Sequence, residues 1–264
     1  MIRLRIGAAL LLLLSLLTAA SPAAGAAAAG TDTPFHFGFK KSKNGEPASI
    51  AQEPFLPLVE KHGALFKGDG TRKTLYLTFD NGYENGFTAK ILDVLKEKKV
   101  PAIFFVTGQY IKEQPELLRR MADEGHLIGN HSWSHPDLTT VSDAELEREL
   151  ERVKAGVAAV TKQKDMLFLR PPRGIFSDRT LAASKKLGYV NVFWSVAYVD
   201  WDTKRQKGAD YAFRQVTAQL HPGAILLLHS VSKDNADAMA RIIDYARAQG
   251  YEFESLHSLL LPTP

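Results

Sequence analysis

The chain has 264 residues, 45% of them hydrophobic and 23% charged, which suits one globular domain with its own core and excludes a disordered or collagen-like protein. The formal net charge is +4 without a nucleic-acid motif or a Lys/Arg run longer than two residues, so the expected partner is an anionic surface or polymer and not a nucleic acid. Cysteine is absent, which excludes disulfides, thiolate metal sites, a cysteine nucleophile and a lipidated-cysteine anchor.

Arg3 and Arg5 precede an apolar run from Ile6 to Leu17, and small residues including Ala24-Gly25-Ala26 follow. This is the order of a secretory signal peptide over residues 1–26, with an uncleaved membrane anchor as the alternative. The run is shorter than the roughly 20 apolar residues of a spanning helix, so no stable membrane insertion is expected after cleavage. Cleavage removes two arginines and no acid, lowering the charge from +4 to +2. Residues 27–73 follow as an N-terminal arm. Lys40, Lys41 and Lys43 beside Gly45 and Pro47 read as irregular, solvated chain wrapping the domain.

A regular alternation begins near Leu75 and defines a domain over residues 74–262. Strands are expected at Leu75–Phe79, Ala102–Thr107, Leu127–Gly129, Met166–Leu169, Val192–Val196, Ile225–Leu228 and Tyr251–Phe253. Helices are expected near Asn85–Lys98, Pro115–Asp123, from Ser142, and near Asp178–Leu187, Asp210–Leu220 and Asn235–Gln249. Ser142 with Glu145 three residues on has the form of a capping box. The alternation predicts a parallel α/β sheet of about seven strands, closed or nearly closed into a barrel.

Five of these strands end on, or lead to, an ionisable residue: Asp80, His131 after Asn130, Arg170, Asp200 and His229. The C-terminal edge is where such barrels hold their sites. His131 and His135 stand at i and i+4, a spacing that shares a metal on one helical turn and also arises by chance. Asp80-Asn81-Gly82 is a turn, or a base beside a metal ligand. The prolines of Arg170-Pro171-Pro172-Arg173-Gly174 stiffen a loop whose arginines are either solvated or paired, Arg170 with Asp80. His229 is a satisfied core histidine or, oriented by Asp200, a general acid, and Trp201 is core or a platform for a sugar ring.

Taken in order, these pieces resemble the polysaccharide deacetylase family, the NodB-homology domain. The motifs are Thr78-Phe79-Asp80-Asn81-Gly82, His131-Ser132-Trp133-Ser134-His135, Arg170-Pro171-Pro172-Arg173-Gly174, Asp200-Trp201 and Leu227-Leu228-His229. The stretches Thr78–Asn85, Phe37–Pro47, Ala197–Trp201 and His229–Ala236 resemble the delta-lactam-biosynthetic branch. The resemblance implies a distorted (β/α) barrel and hydrolytic N-deacetylation of N-acetylmuramic acid in peptidoglycan, leading to muramic delta-lactam in the spore cortex. Asp80 would be the base, His229 the acid oriented by Asp200, and Arg170 the partner of Asp80. The Arg173 N–H would bind the oxyanion. His131 and His135 would hold a divalent metal, zinc or manganese/magnesium. The substrate-contacting residues would be Arg173, Tyr83 and Trp201. The implied protein is a secreted monomer acting on glycan strands of the cell wall or spore cortex.

Two positions depart from the family pattern. Asn81 stands where a second aspartate ligates the metal, so it offers only a neutral oxygen and a weak site. Arg173 stands where a tyrosine is usual and brings a positive charge to the substrate. An N-acetylglucosamine deacetylase acting on peptidoglycan or chitin-like glycan is the alternative enzyme. A glycan-binding relative without catalysis is the alternative of another class.

Overall fold

The computed structural model describes residues 32–43 and 46–261; the expected signal peptide lies outside them. In chain order the elements are β1 (Phe35–His36), α1 (Leu56–His62), β2 (Thr74–Asn81), α2 (Thr88–Lys98), β3 (Ala102–Val106), α3 (Gly108–Glu113), α4 (Pro115–Asp123) and β4 (Leu127–Asn130). Then come α5 (Asp143–Val160), β5 (Phe168–Leu169), β6 (Ile175–Phe176), α6 (Asp178–Lys186), β7 (Val190–Asn191), α7 (Ala209–Thr217), β8 (Ala224–His229), α8 (Lys233–Ala248) and β9 (Glu252–Phe253). Among the described residues, no helix is long and apolar enough to cross a membrane.

Seven strands form one sheet in the order β7-β5-β4-β3-β2-β8, with β9 beside β2, and all of its pairings are parallel. Every residue of β2 is buried, as befits a parallel strand covered on both faces. Strand alternation sends Leu75, Leu77 and Phe79 to the helical layer, with Ile91, Leu95 and Met239. Tyr76 points the other way, into a cluster with Ile103, Phe105, Phe168 and Ile225. The sheet therefore curls around an inner core, and the C-terminal ends of β2, β4, β5 and β8 converge.

The expected strand at Val192–Val196 is displaced. The regular strand is Val190–Asn191, and the chain beyond it makes only isolated bridges, Val192 to Leu65 and Val196 to Leu226. Those bridges still join the β7 edge to β8, so the barrel closes through irregular backbone. Its apolar run marks burial, which periodicity cannot separate from a strand. Helix α3, with no expected counterpart, starts on a Thr107 side-chain cap. Ser142 accepts from Glu145 N at 3.2 Å and caps α5.

The arm is not solvated chain. Phe37, Ile50, Phe55 and Val59 are buried against Phe176, Leu181 and Phe193 of the domain. Strand β1 pairs antiparallel with β6, directly after the Arg170–Gly174 loop, and Phe37 N donates to Gly174 O at 2.8 Å. Gly174 has φ +66°, and a Cβ there would lie 2.7 Å from the Trp194 ring and 3.3 Å from Phe37 Cβ. Only glycine fits that approach.

Candidate active site

The strand ends open into a cleft of about 890 Å³. It is lined by Asp80, His131, His135 and His229, with Arg173 and Trp201 among the other lining residues. Tyr83 lines it as well, 42% exposed, and Trp201 stands at the rim, 57% exposed. Sequence-distant candidates are thus brought together because parallel strands deliver their C-terminal residues to one edge.

Asp80 is 8% exposed and Arg170 is fully buried beneath it. One guanidinium nitrogen donates to Asp80 Oδ1 at 2.8 Å and to Thr78 Oγ1 at 2.8 Å. The others donate to the carbonyls of Val192 (3.1 Å) and Phe193 (3.2 Å). Removing one partner of such a buried pair leaves an uncompensated charge, a cost of about 3–5 kcal/mol. Burial pushes the Asp80 carboxyl up, but the Arg170 guanidinium and the His131 and His229 imidazoles outweigh it and hold the group below the usual carboxylate range. An ionised carboxylate facing a cleft is a proton acceptor.

His131 Nδ1 lies 2.8 Å from the carbonyl of Arg170. A carbonyl only accepts, so Nδ1 carries the hydrogen and Nε2 keeps its lone pair, 3.6 Å from Asp80 Oδ2. The His135 ring is 4.8 Å away, centroid to centroid. Burial lowers both imidazoles, His135 to about 4, which keeps them neutral at neutral pH. The segment is no helical turn, since Ser132 (φ 62°) and His135 (φ 58°) are left-handed. Glu149 of α5, 4% exposed, holds that shape: its carboxylate accepts from Ser134 N at 2.7 Å and Ser134 Oγ at 2.8 Å. Nothing in the sequence marks Glu149, because its partner is reached only through the tertiary fold.

His229 Nδ1 lies 2.7 Å from Asp200 Oδ1, and His229 N donates to Asp200 Oδ2 at 2.7 Å. The carboxylate accepts, so Nδ1 carries a hydrogen and Nε2 is left to hold or give a proton. Burial lowers the imidazole, but the Asp200 charge and hydrogen bond prevail and raise it above its ordinary value. The Asp80 carboxyl is thus held low and the His229 imidazole high, the separation that a base and an acid for amide hydrolysis would need.

Asn81 does not join them on the cleft wall. Strand alternation separates it from Asp80: it is fully buried and its Nδ2 donates to Ser230 Oγ at 2.6 Å. Its Oδ1 is buried without a hydrogen-bond partner. Among the described residues no three His, Asp, Glu or Cys side chains are grouped to hold a metal. The donors are two neutral imidazoles on the cleft wall, the Asp80 carboxylate 3.6 Å from one of them, and an orphaned amide oxygen behind the wall, a set that fits a divalent ion.

Residues 67–192, which include three of the five motifs, match the profile of the family described as "Polysaccharide deacetylase". The chain is 51% identical to the peptidoglycan-N-acetylmuramic acid deacetylase PdaA of Bacillus subtilis, over 86% of each sequence. It belongs to the polysaccharide deacetylase family. The solved structure of that PdaA, a family 4 carbohydrate esterase, superposes with a TM-score of 0.85 at 50% identity, covering 87% of this chain and 98% of that one. A family 4 carbohydrate esterase from Bacillus anthracis superposes at 0.74 with 53% identity, covering 88% and 98%. The polysaccharide deacetylase fold accounts for the curled sheet and for the site at its C-terminal edge.

In this deacetylase Arg173 has φ 58° and Gly174 after it φ 66°. Two successive left-handed residues turn the loop sharply at the cleft. The Arg173 side chain is half exposed and 4.0 Å from Asp137 Oδ2.

Proposed function

We propose that the chain hydrolyses the N-acetyl group of N-acetylmuramic acid in peptidoglycan glycan strands, preparing the amine for muramic delta-lactam formation in the spore cortex. The observation that carries this is the pairing, across one cleft, of an Arg170-held carboxylate with an Asp200-held imidazole. The similarity to PdaA supports muramic acid as the sugar. Asp80 takes a proton from water, whose oxygen attacks the acetyl carbonyl. His229 Nε2 then gives a proton to the nitrogen as the C–N bond breaks, releasing acetate and the free amine. Arg170 keeps Asp80 ionised and aimed. The Arg173 N–H supports the oxyanion, and its guanidinium faces the substrate. His131 and His135, with Asn81 Oδ1 as a third donor, would hold a divalent ion, zinc or manganese/magnesium, that polarises the carbonyl. Tyr83 and Trp201 at the rim supply flat faces for sugar rings.

The Arg3, Arg5 and Ala24-Gly25-Ala26 pattern supports export with cleavage near residue 26, and a secreted monomer working at the cell wall. Residues 27–73 form the arm and 74–262 the catalytic domain. The test is mass spectrometry of peptidoglycan fragments after incubation with the purified protein. Loss of acetyl from muramic acid is expected. Acetyl loss confined to glucosamine, or equal activity on glycans without muramic acid, overturns the substrate assignment. No acetyl loss from any glycan overturns the enzyme reading in favour of a glycan-binding protein.

A further inference from the structure

We propose that Asn235, backed by Tyr198, is a positioning residue for the general acid: it fixes the rotation of the Asp200 carboxylate against His229. The inference rests on the reading of His229 as the acid.

Asp200 is 2% exposed, so its oxygens depend on protein donors. Oδ1 faces His229 Nδ1 at 2.7 Å. Oδ2 accepts from His229 N at 2.7 Å and from Asn235 Nδ2 at 2.6 Å. His229 supplies two of these three bonds. Asn235 supplies the third, the one that comes from another element, α8. Without it the carboxylate is held only by the residue it is meant to orient.

The Asn235 amide is itself fixed. A carboxylate only accepts, so Nδ2 must face Asp200 and Oδ1 must face away. Oδ1 accepts from the Tyr198 hydroxyl at 2.5 Å. Burial holds that phenol protonated, so it stays a donor. Asn235 Nδ2 also reaches the carbonyl of His229 at 3.2 Å. The amide therefore bridges both members of the pair while Tyr198 blocks its flip.

Capping of α8 does not explain this side chain. The cap is Ser232 Oγ, which accepts from the backbone N of Asn235 at 3.2 Å and asks nothing of the amide. The Asp200 segment is laced to the same helix start by Asp234 Oδ2, which accepts from Lys207 N and Gly208 N at 2.6 and 2.8 Å. These contacts make α8 the frame against which the carboxylate is set.

The charged and titratable groups that face His229 are Asp200, Asp80, Arg170 and the His131 imidazole. Against the burial that lowers it, Asp200 is the main support of the His229 imidazolium through its charge and its hydrogen bond, and the hydrogen bond depends on orientation. Loosening Asp200 lets burial dominate, so the His229 midpoint falls.

The test is an NMR titration of histidine-labelled protein, wild type, Asn235→Ala and Tyr198→Phe, with His229 assigned by a His229→Gln variant. The same proteins are assayed for kcat and KM against pH. In both variants the His229 midpoint should fall and the alkaline limb of kcat should move down with it. KM should stay within about twofold, and kcat should drop about tenfold for Asn235→Ala and less for Tyr198→Phe, at the low end of losses for outer-shell partners. Tyr198→Phe keeps the ring and so guards against simple misfolding. A midpoint unmoved in both variants overturns the proposal, whatever the activity does. If the wild type deacetylates no glycan while the midpoint falls on substitution, the positioning stands and the functional reading fails.

Discussion

The ring of Phe37 stacks face to face on that of Phe193, with centroids 4.3 Å apart, and the carbonyl of Phe193 accepts from the buried Arg170 guanidinium at 3.2 Å. The N-terminal arm thus reaches the Asp80 carboxylate in three steps: Phe37, Phe193, Arg170. Phe37→Ala should lower stability by about 3–5 kcal/mol, the usual cost of emptying a buried phenylalanine site. It should also lower kcat in the protein that remains folded. Thermal denaturation together with kinetics below the melting range checks this. Full kcat in a folded variant would mean that the arm stabilises the domain without shaping the site.

The two tuned groups set a bell-shaped pH profile. As the proposed base, Asp80 would work ionised, and its carboxyl is held below the usual range, so activity should fall only at pH values under that range. As the proposed acid, His229 would work protonated, and its imidazole is raised, so activity should fall as pH climbs past its ordinary value. Asp200→Asn removes the charge that raises it. The alkaline limb of kcat should move to lower pH, with a loss of about 10²-fold or more at the optimum. A pH–rate series on both proteins decides it, and an alkaline limb that stays in place would remove His229 from the acid role.

With asparagine at residue 81 the metal site lacks a second carboxylate, so weak binding is expected. Asn81→Asp would replace the orphaned amide oxygen with a charged one, while Ser230 can turn its hydroxyl to donate to the new carboxylate. Calorimetric titration with zinc and with manganese should show at least about tenfold tighter binding, 1.4 kcal/mol. Equal affinity in the two proteins would place residue 81 outside the metal shell.

Arg173 should read the lactyl carboxylate that distinguishes muramic acid. In peptide-free muramic acid that group is negative, and a guanidinium takes it with two parallel hydrogen bonds. Peptide attachment makes it a neutral amide and forfeits a charged hydrogen bond, about 1.5–3 kcal/mol. Glycan strands with and without peptide, compared as kcat/KM, should show a preference for the peptide-free strand. Arg173→Tyr should erase most of it. A mutant that keeps the whole wild-type preference would show that its guanidinium does not touch the lactyl group.

Glu149 should matter to His135 although it touches no substrate. Glu149→Ala leaves Ser134 N and Oγ without their acceptor, a cost of about 1–3 kcal/mol. The His131–His135 loop should loosen, seen as faster amide hydrogen exchange at Ser134 and His135. Wild-type exchange there would show that the loop holds its left-handed residues without Glu149.

The sequence by itself determined the strand-and-helix order and the residues at the strand ends. Parallel strands buried on both faces are written as continuous apolar runs, and their C-terminal residues must fall on one edge, so Asp80, His131, Arg170 and His229 were legible as a group. It did not determine which side chains those residues meet. Val192–Val196 reads as a strand because burial and extended structure share one apolar signature, and only the closing of the barrel decides that it makes isolated bridges. Asn81 reads as a partner of Asp80 because the two are adjacent, yet strand alternation sends its amide to Ser230. Glu149 carries no local mark, and Phe37 and Asn235 fall in stretches that resemble the delta-lactam branch without any sign of what they touch, since each of the three acts on a group more than ten residues away in sequence. Chain order fixes what lies along a strand, whereas contacts across the barrel exist only once the sheet has curled and the arm has docked.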